Sequence, residues 1–321
     1  MTRFDGRLAP IAVATRSGLE ESVHHGAGIA IDADRTLATI GDPDLVVYPR
    51  SCLKPMQAHA LIGLGLELVD DQLAVACGSH DGSAAHLDAV RSILARYGFA
   101  ESDLANTAAR PHGGAARAAA RAAGVEPSSL QQNCSGKHAA MLGACRVNGW
   151  STDDYLDPDH PLQMAIIAGI ESLGAVVHHV GTDGCGAPTH ALSLRDLASA
   201  FAALAAPGSE IARAMTTHPA MVGGPTRDVT LWMQSVPTLV AKEGASGVMA
   251  AGLDDGRAIA FKVADGSDNA RQAIVAEALR SVGVDVDEIA AATLGQVEVP
   301  VLGHGRPVGR LEPLRWIRCS S

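Results

Sequence analysis

Residues 48–55 of the chain read Tyr-Pro-Arg-Ser-Cys-Leu-Lys-Pro and place Ser51 and Lys54 three residues apart at a predicted helix start. On a helix this spacing puts both side chains on one face. A serine hydroxyl needs a base within hydrogen-bond reach to act as a nucleophile, and a lysine can be that base only when its amine is neutral. Lowering the pKa of a lysine from about 10.4 to about 7 costs roughly 4–5 kcal/mol, which burial and neighbouring cations can supply. The stretch therefore predicts a Ser–Lys catalytic pair; the alternative is a serine that caps the helix, followed by a solvent-facing lysine.

The same stretch separates two kinds of sequence pattern. Before it, segments rich in Val, Ile and Ala predict strands joined by hairpins, and Pro49 ends the last of them. These strands are residues 9–15, 26–31, 36–41 and 46–48. After it, apolar residues recur at helical spacing from Met56 to Leu64, and Pro55 is tolerated only in the first turn of that helix. Ser51 is thus predicted at, or just before, a helix N-terminus, where the helix dipole stabilises a developing alkoxide.

The rest of the chain has a helical middle and a strand-rich end. Further helices are predicted at residues 87–94, 115–123, 139–142, 161–173, 192–206 and 269–282. Further strands are predicted at residues 176–180, 238–241, 246–251, 258–263 and 297–302. We therefore expect one α/β domain over residues 1–321, whose antiparallel sheet is built from both termini (about 1–50 and 230–321). A helical lobe (about 51–229) is inserted between these two parts.

Composition narrows the class of protein. A hydrophobic content of 47% predicts a globular chain, and a net charge of −10 argues against nucleic acid or an anionic membrane as a partner. No apolar run reaches the ~18 residues of a membrane span, and the first residues do not resemble a signal peptide. We expect a cytoplasmic protein. Its six cysteines lack the spacing of a disulfide framework, and are therefore expected to be thiols, metal ligands or core residues.

Lysine is rare in this chain. Of 25 basic residues only four are lysines, namely Lys54, Lys137, Lys242 and Lys262. Arginine supplies the general positive charge, and a guanidinium cannot act as a base. The bias therefore indicates that lysine is kept where a compact or deprotonatable amine is needed.

The reactive side chains concentrate in four small polar loops, at residues 50–54, 77–83, 133–138 and 181–189, and Lys262 joins them from a late strand. This clustering predicts a single site. Two of the loops carry Cys134 and Cys185; if these loops meet, two thiolates with a nitrogen from His138 or Lys137 would suit zinc. The alternative is that both cysteines are buried packing residues, which is common in the absence of a Cys-x-x-Cys spacing.

The motifs in these loops resemble the rhizobial-type (class 3) L-asparaginases, in the same order and over essentially the whole chain. They are Arg50-Ser51-x-x-Lys54-Pro55, Ser79-His80, Asn133-Cys134-Ser135-Gly136-Lys137-His138, Asp183-Gly184-Cys185-Gly186 and Lys262-x-x-Asp265-Gly266. The resemblance implies a fold of the serine β-lactamase and glutaminase type, a homodimer, and hydrolysis of L-asparagine to L-aspartate and ammonia.

The resemblance also implies roles for individual residues. It pairs Ser51 with Lys54 and Ser79 with Lys262 in catalysis. It implies a zinc ion held by the side chains of Cys134, Lys137 and Cys185, with water completing the site. From their chemistry we expect Arg50 and His138 near the substrate carboxylate, and Asp183 near its amino group.

Three alternatives stay open. Glutaminase activity is the nearest, because one methylene discriminates by only ~1–3 kcal/mol. A β-lactamase or penicillin-binding acyl hydrolase would also use Ser-x-x-Lys, but Lys262-Val263-Ala264 stands where Lys-Thr-Gly would be expected, and no Ser-x-Asn lies between Ser51 and Lys262. A non-catalytic protein that binds a small amino acid would use the lysines as anchors for a carboxylate.

Overall fold

The computed structural model of the chain describes residues 4–33, 35–287, 289 and 299–319. The chain forms two compact units, each assembled from separate segments. The first, the sheet unit, contains the residues up to Cys52, Leu192–Ala206 and the described residues from Leu239 onward. The second, the helical unit, contains Leu53–Ala191 and Pro207–Thr238. The sheet unit thus draws on both ends of the chain, as predicted, and it also takes in residues 192–206, which we had assigned to the helical lobe.

The described strands are, in chain order, β1 (Ala9–Arg16), β2 (Leu19–Asp32), β3 (Arg35–Ile40), β4 (Val46–Val47), β5 (His179–Thr182), β6 (Pro188–Ser193), β7 (Val240–Gly244), β8 (Val248–Gly252), β9 (Arg257–Val263), β10 (Pro300–Gly303), β11 (Arg306–Pro313) and β12 (Ile317–Arg318). The described helices are α1 (Lys54–Gly63), α2 (Asp70–Ala76), α3 (Ala84–Arg96), α4 (Gly114–Ala122), α5 (Ser135–Asn148), α6 (Pro161–Ser172), α7 (Leu194–Ala205), α8 (Glu210–Thr217), α9 (Pro219–Val222), α10 (Asp228–Ser235) and α11 (Asp268–Ser281). Short 3-10 helices cover Arg50–Leu53 and Glu101–Asp103.

The sheet unit is built on an antiparallel sheet with the strand order β10-β11-β1-β2-β9-β8-β7, and β3 pairs with β2 and β12. Its centre joins the two ends of the chain, because β2 pairs with β9 from Gly26↔Val263 to Asp32↔Arg257. Helices α7 and α11 pack against these strands and bury the core. The predicted α/β fold, with an antiparallel sheet built from both termini and a helical lobe inserted, is confirmed.

The helical unit packs α1 against α5 and α6, and α2 against α3, α5 and α8. Small residues permit this close approach. A Cβ on Gly169 of α6 would lie 2.3 Å from the Cβ of Ala60 on α1. The low aromatic content therefore corresponds to helices that pack backbone against backbone. Strand β5 pairs with β6 in this unit, through Thr182↔Pro188 to His179↔Ala191.

Several elements differ from the sequence prediction. Strand β5 begins at His179 rather than at residue 176. Strand β6 takes in the end of the predicted loop at 181–189 and the first two residues of the helix predicted at 192–206. The prediction ended the chain with a strand at residues 297–302, of which 297 and 298 lie outside the described residues. The structure adds β11 and β12 after β10. Strand β11 was missed because its proline and arginine content is unlike that of a central strand; its pairing with β1 supplies the stability that local propensity lacks. No helix in the described part of the chain is long and apolar enough to traverse a bilayer.

Candidate active site

The turn that carries Ser51 belongs to the sheet unit. Residues Arg50–Leu53 form a 3-10 helix, and α1 begins at the next residue, so Ser51 precedes an α-helix as predicted. Arg50 has a φ of 54°, a left-handed conformation that is uncommon for a residue with a side chain. The amide of Cys52 donates to the carbonyl oxygen of Pro49 at 3.1 Å. Ser51 is therefore presented on a tight turn that starts from a strained residue.

The side-chain nitrogen of Lys54 has three hydrogen-bond partners, all in the helical unit. Its Nζ donates to the carbonyl oxygens of Gly78 at 2.5 Å and Asn133 at 3.1 Å, and to Ser79 Oγ at 3.2 Å. The two carbonyls occupy two of its hydrogens in either charge state. The third position on Nζ is a hydrogen when the lysine is charged and a lone pair when it is neutral, and it faces Ser79. Lys54 can therefore exchange a proton with Ser79 without losing its other two bonds, an arrangement we call the carbonyl cradle.

Ser79 lies on the loop between α2 and α3. Its amide donates to the carbonyl oxygen of Val222 at 2.7 Å, which fixes the loop. The next residue, His80, bonds through Nε2 to Ser135 Oγ at 2.9 Å, and both side chains are fully buried. Ser83 is the N-cap of α3, so part of this loop serves the helix start. The loop thus joins Ser79 to the start of α5.

The three predicted metal ligands converge in the helical unit. Cys134 and Cys185 lie in one small buried cluster, and Lys137 Nζ lies 3.3 Å from Cys185 Sγ. The thiol of Cys185 donates to Cys134, and this bond lowers the pKa of Cys134 well below its usual range; the charges of Lys54 and Lys137 act in the same direction. Although burial works against it, the thiols of Cys185 and Cys134 and the carboxylate of Asp183 raise the pKa of Lys137. These shifts favour the thiolate form of Cys134 and the ammonium form of Lys137.

This donor set is chemically suited to zinc. Within the described ranges, no three His, Cys, Asp or Glu side chains group in a way that could hold a metal ion, so the third protein donor would be the amine of Lys137. Two sulfurs and one nitrogen form a set that zinc accepts. Binding would require Lys137 and Cys185 to release their protons, which ties affinity to pH.

His138, one of the residues predicted to bind substrate, lies in the interior of the helical unit. It is fully buried, and its Nδ1 lies 2.9 Å from the hydroxyl oxygen of Tyr155, which also accepts the amide of Ala105 at 3.2 Å. Its Nε2 is buried and has no hydrogen-bond partner among the described residues. Asp183 lies in the helical unit as well, where its Oδ1 accepts the amide of Gly184 at 2.7 Å. Arg50, the third residue of this group, belongs to the sheet unit.

Lys262 lies on β9 in the sheet unit and is also held by two carbonyls. Its Nζ donates to Ser246 at 2.5 Å and to Val263 at 2.7 Å. Burial lowers the pKa of Lys262, while the carboxylate of Asp265 opposes this shift. Asp265 in turn lies 2.6 Å from His24 Nδ1. Lys262 is therefore a second lysine whose neutral form keeps both of its backbone bonds.

The structure brings several of the predicted residues together in the helical unit. These are Lys54, Ser79, Cys134, Lys137, His138, Asp183 and Cys185. It pairs Lys54 with Ser79, whereas the resemblance paired Ser79 with Lys262. All four lysines are buried, with exposed fractions of 2% for Lys54, 3% for Lys137, 0% for Lys242 and 8% for Lys262. The inference that lysine is reserved for special positions therefore agrees with its burial.

Sequence reasoning missed three residues of this environment. Tyr155, Ser135 and His190 are buried there, and both ring nitrogens of His190 lack a hydrogen-bond partner among the described residues. Ser135 stands inside a motif that was quoted, so its position was a usable signal. Tyr155 and His190 lie in segments without any motif, and only the tertiary structure identifies them.

The chain was compared with family models, with curated proteins and with solved structures. The family model described as L-asparaginase II matches residues 12–313. A search of curated proteins gave no match. Among solved structures, the chain is similar to a β-lactamase from Mycobacterium bovis, with 17% identity, a TM-score of 0.38, and coverage of 85% of this chain and 94% of that one.

Proposed function

Because the chain belongs to the L-asparaginase II family, we propose that it hydrolyses the side-chain amide of L-asparagine to L-aspartate and ammonia. The observation that carries the proposal is the carbonyl cradle, in which Lys54 Nζ faces Ser79 Oγ at 3.2 Å. A buried lysine that can hold or release a proton beside a serine is the general acid–base group that amide hydrolysis by a serine nucleophile needs.

We propose that Ser51 is the nucleophile and that Lys54 and Ser79 carry the proton. Ser51 Oγ attacks the amide carbon, and its proton passes through Ser79 to the neutral amine of Lys54. The carbon–nitrogen bond then breaks, the nitrogen takes a proton from Lys54 through Ser79, and ammonia leaves an acyl-Ser51 ester. Water attacks this ester with loss of a proton to the same lysine, and Ser51 regains its proton as aspartate departs. The left-handed turn at Arg50 supports Ser51 in this role, because catalytic nucleophiles are often presented on strained turns.

The remaining predicted residues are assigned to binding. We propose that Arg50 and His138 bind the substrate carboxylate and Asp183 its amino group, with Lys262 as a second amine that supports proton transfer. The unpartnered Nε2 of His138 supports its role, because a buried polar atom without a partner gains a bond when a ligand supplies one.

We also propose that Cys134, Lys137 and Cys185 hold zinc. Thiolate ligands leave the ion little Lewis acidity, so when bound it would position substrate more than activate water. Metal analysis tests this directly: the purified chain should carry one zinc, and the variants Cys134→Ser and Cys185→Ser should carry none. Full retention of zinc in both variants would contradict the assignment. Chelation should raise KM more than it lowers kcat.

The deciding experiment measures ammonia release from L-asparagine and L-glutamine, and hydrolysis of a chromogenic β-lactam. We expect turnover of asparagine, less of glutamine and none of the β-lactam. Peptide mass mapping of the chain quenched during turnover should find the acyl group on Ser51. The variant Ser51→Ala should show neither ammonia release nor an acyl group. An acyl group on Ser79 would overturn the choice of nucleophile, and binding of asparagine without ammonia release would favour a binding protein instead.

Two further properties are proposed, the first from the family resemblance and the second from composition. We propose a homodimer, which light scattering of the purified protein tests, and a cytoplasmic location, which cell fractionation tests.

A further inference from the structure

We propose that strand β7 is a positioning element for the nucleophile, which holds the turn of Ser51 in place through Cys52 and Gly244. This inference rests on the proposed role of Ser51. All of its contacts lie within the sheet unit.

The first contact is a hydrogen bond from the residue after Ser51. Cys52 is fully buried, and its Sγ donates to the carbonyl oxygen of Lys242 on β7 at 3.0 Å. Burial raises the pKa of the Cys52 thiol to about 12, so the sulfur keeps the hydrogen that it donates. Cys52 therefore anchors the turn and is neither a nucleophile nor a metal ligand.

The second contact lies two residues further along β7. A Cβ on Gly244 would lie 2.1 Å from the carbonyl oxygen of Pro49 and 3.2 Å from Cys52 Sγ. At Gly244 the backbone of β7 therefore packs directly against the turn of Ser51, and a side chain at this position would displace the turn. Since Pro49 accepts the amide of Cys52, a displacement of its carbonyl would disturb both ends of the turn.

The turn needs such support because it starts from a strained residue. A side-chain-bearing residue in the left-handed region, such as Arg50, costs of order 1–3 kcal/mol and persists only when its surroundings enforce it. Strand β7 is itself held in place, so it can enforce the conformation of Arg50. It pairs with β8 along its whole length, and the buried ammonium of Lys242 lies 3.0 Å from Glu243 Oε2. An element fixed in this way can keep Ser51 Oγ in one place.

The chain offers a matched control for this idea. On β8, a Cβ on Gly252 would lie 2.2 Å from the carbonyl oxygen of Phe201, which belongs to α7. The variants Gly244→Ala and Gly252→Ala thus create nearly the same clash with a backbone carbonyl in the same sheet. They differ in the element that is displaced, the turn of Ser51 in one case and α7 in the other.

We expect Gly244→Ala to lower kcat for asparagine by roughly 10²-fold, since a displacement of ~1 Å can have that effect. Its KM should change less than twofold. The amide of Cys52 should also exchange its hydrogen at least tenfold faster in this variant. Gly252→Ala should change neither kcat nor this exchange rate, even where both variants melt at similarly lowered temperatures.

Two substitutions at Cys52 test the same proposal if Gly244→Ala does not fold. Cys52→Ala removes the donor to Lys242 and should lower kcat severalfold, whereas Cys52→Ser keeps a donor and should restore it. Equal losses of kcat in Gly244→Ala and Gly252→Ala, or unchanged exchange at Cys52, would overturn the proposal. A wild-type chain that releases no ammonia would instead contradict the proposed function, and the exchange comparison would still decide whether β7 holds the turn.

Discussion

Lys54 is the residue on which the proposed chemistry depends, and its replacement by arginine separates charge from proton transfer. Arginine keeps the positive charge but cannot release a proton near neutral pH. We expect Lys54→Arg and Ser79→Ala each to lower kcat by roughly 10²- to 10⁴-fold, the usual contribution of a general acid–base group. Ammonia release measures the effect.

A serine in the same loop provides the control. Ser83 stands at the N-cap of α3, where its Oγ lies 2.7 Å from His86 Nδ1, so Ser83→Ala should lower the free energy of unfolding by ~1 kcal/mol and leave kcat unchanged. Full turnover in Ser79→Ala would exclude this serine from the proton path.

Tyr155 supports His138 through one oxygen atom. Tyr155→Phe leaves the amide of Ala105 and Nδ1 of His138 without their partner in a buried place, which should lower the free energy of unfolding by ~1–3 kcal/mol. We also expect a higher KM, because His138 loses its fixed orientation. Urea unfolding and steady-state kinetics measure the two effects.

Tyr97 makes the matched comparison, because its hydroxyl also bonds to backbone, at Glu67, but in exposed surroundings. Tyr97→Phe should alter stability by less than ~1 kcal/mol and leave KM unchanged. An equal KM in Tyr155→Phe and Tyr97→Phe would count against a role for Tyr155 in binding.

At the scale of elements, β9 carries a lysine whose burial couples stability to pH. The folded-state pKa of Lys262 lies below the ordinary value of 10.5, so at neutral pH the fold includes a charge that burial disfavours. As pH rises from the folded pKa towards 10.5, the folded chain releases this proton before the unfolded chain does, and the penalty disappears. Wild type should therefore gain stability relative to Lys262→Met across this window.

Urea titrations between neutral pH and pH 10.5 test this prediction. Asp265 stays ionised throughout the window, because its own pKa is lowered below the usual range: bonds from Ser267 and His24 outweigh its burial. A stability difference between the two proteins that does not vary with pH would contradict the shift at Lys262.

The helices and strands also show how much of the fold could be predicted from the sequence. Periodicity and proline position predicted α1, and segments rich in Val, Ile and Ala predicted most strands near both termini. Strands β6 and β11 were missed because their residues take part in a sheet through distant partners rather than through local propensity. The candidate site was likewise predictable from local patterns only in part. The motifs pointed to residues that the structure brings together in the helical unit, but spacing along the chain favoured Ser51 beside Lys54 and could not reveal that Lys54 Nζ bonds to Ser79 Oγ.

At the scale of the whole molecule, the last strands of the chain cover two strands from its beginning. Strand β1 pairs with β11, and β3 pairs with β12. Removing residues 300–321 should therefore expose the edges of β1 and β3, and we expect the shortened chain to aggregate. The soluble fraction after expression measures this, with a chain ending at Cys319 as the control. A soluble, active chain lacking residues 300–321 would show that these strands are dispensable.

The burial of all four lysines has a practical consequence for chemical labelling. Amine-reactive reagents such as succinimidyl esters normally modify many surface lysines, but the folded chain offers them none. Each lysine that becomes acylated therefore records an opening of the unit that contains it. Lys54 and Lys137 report on the helical unit, and Lys242 and Lys262 on the sheet unit. Mass spectrometry of the four acylated peptides would thus measure the local opening of the helical unit and of the sheet unit separately, without any engineered probe.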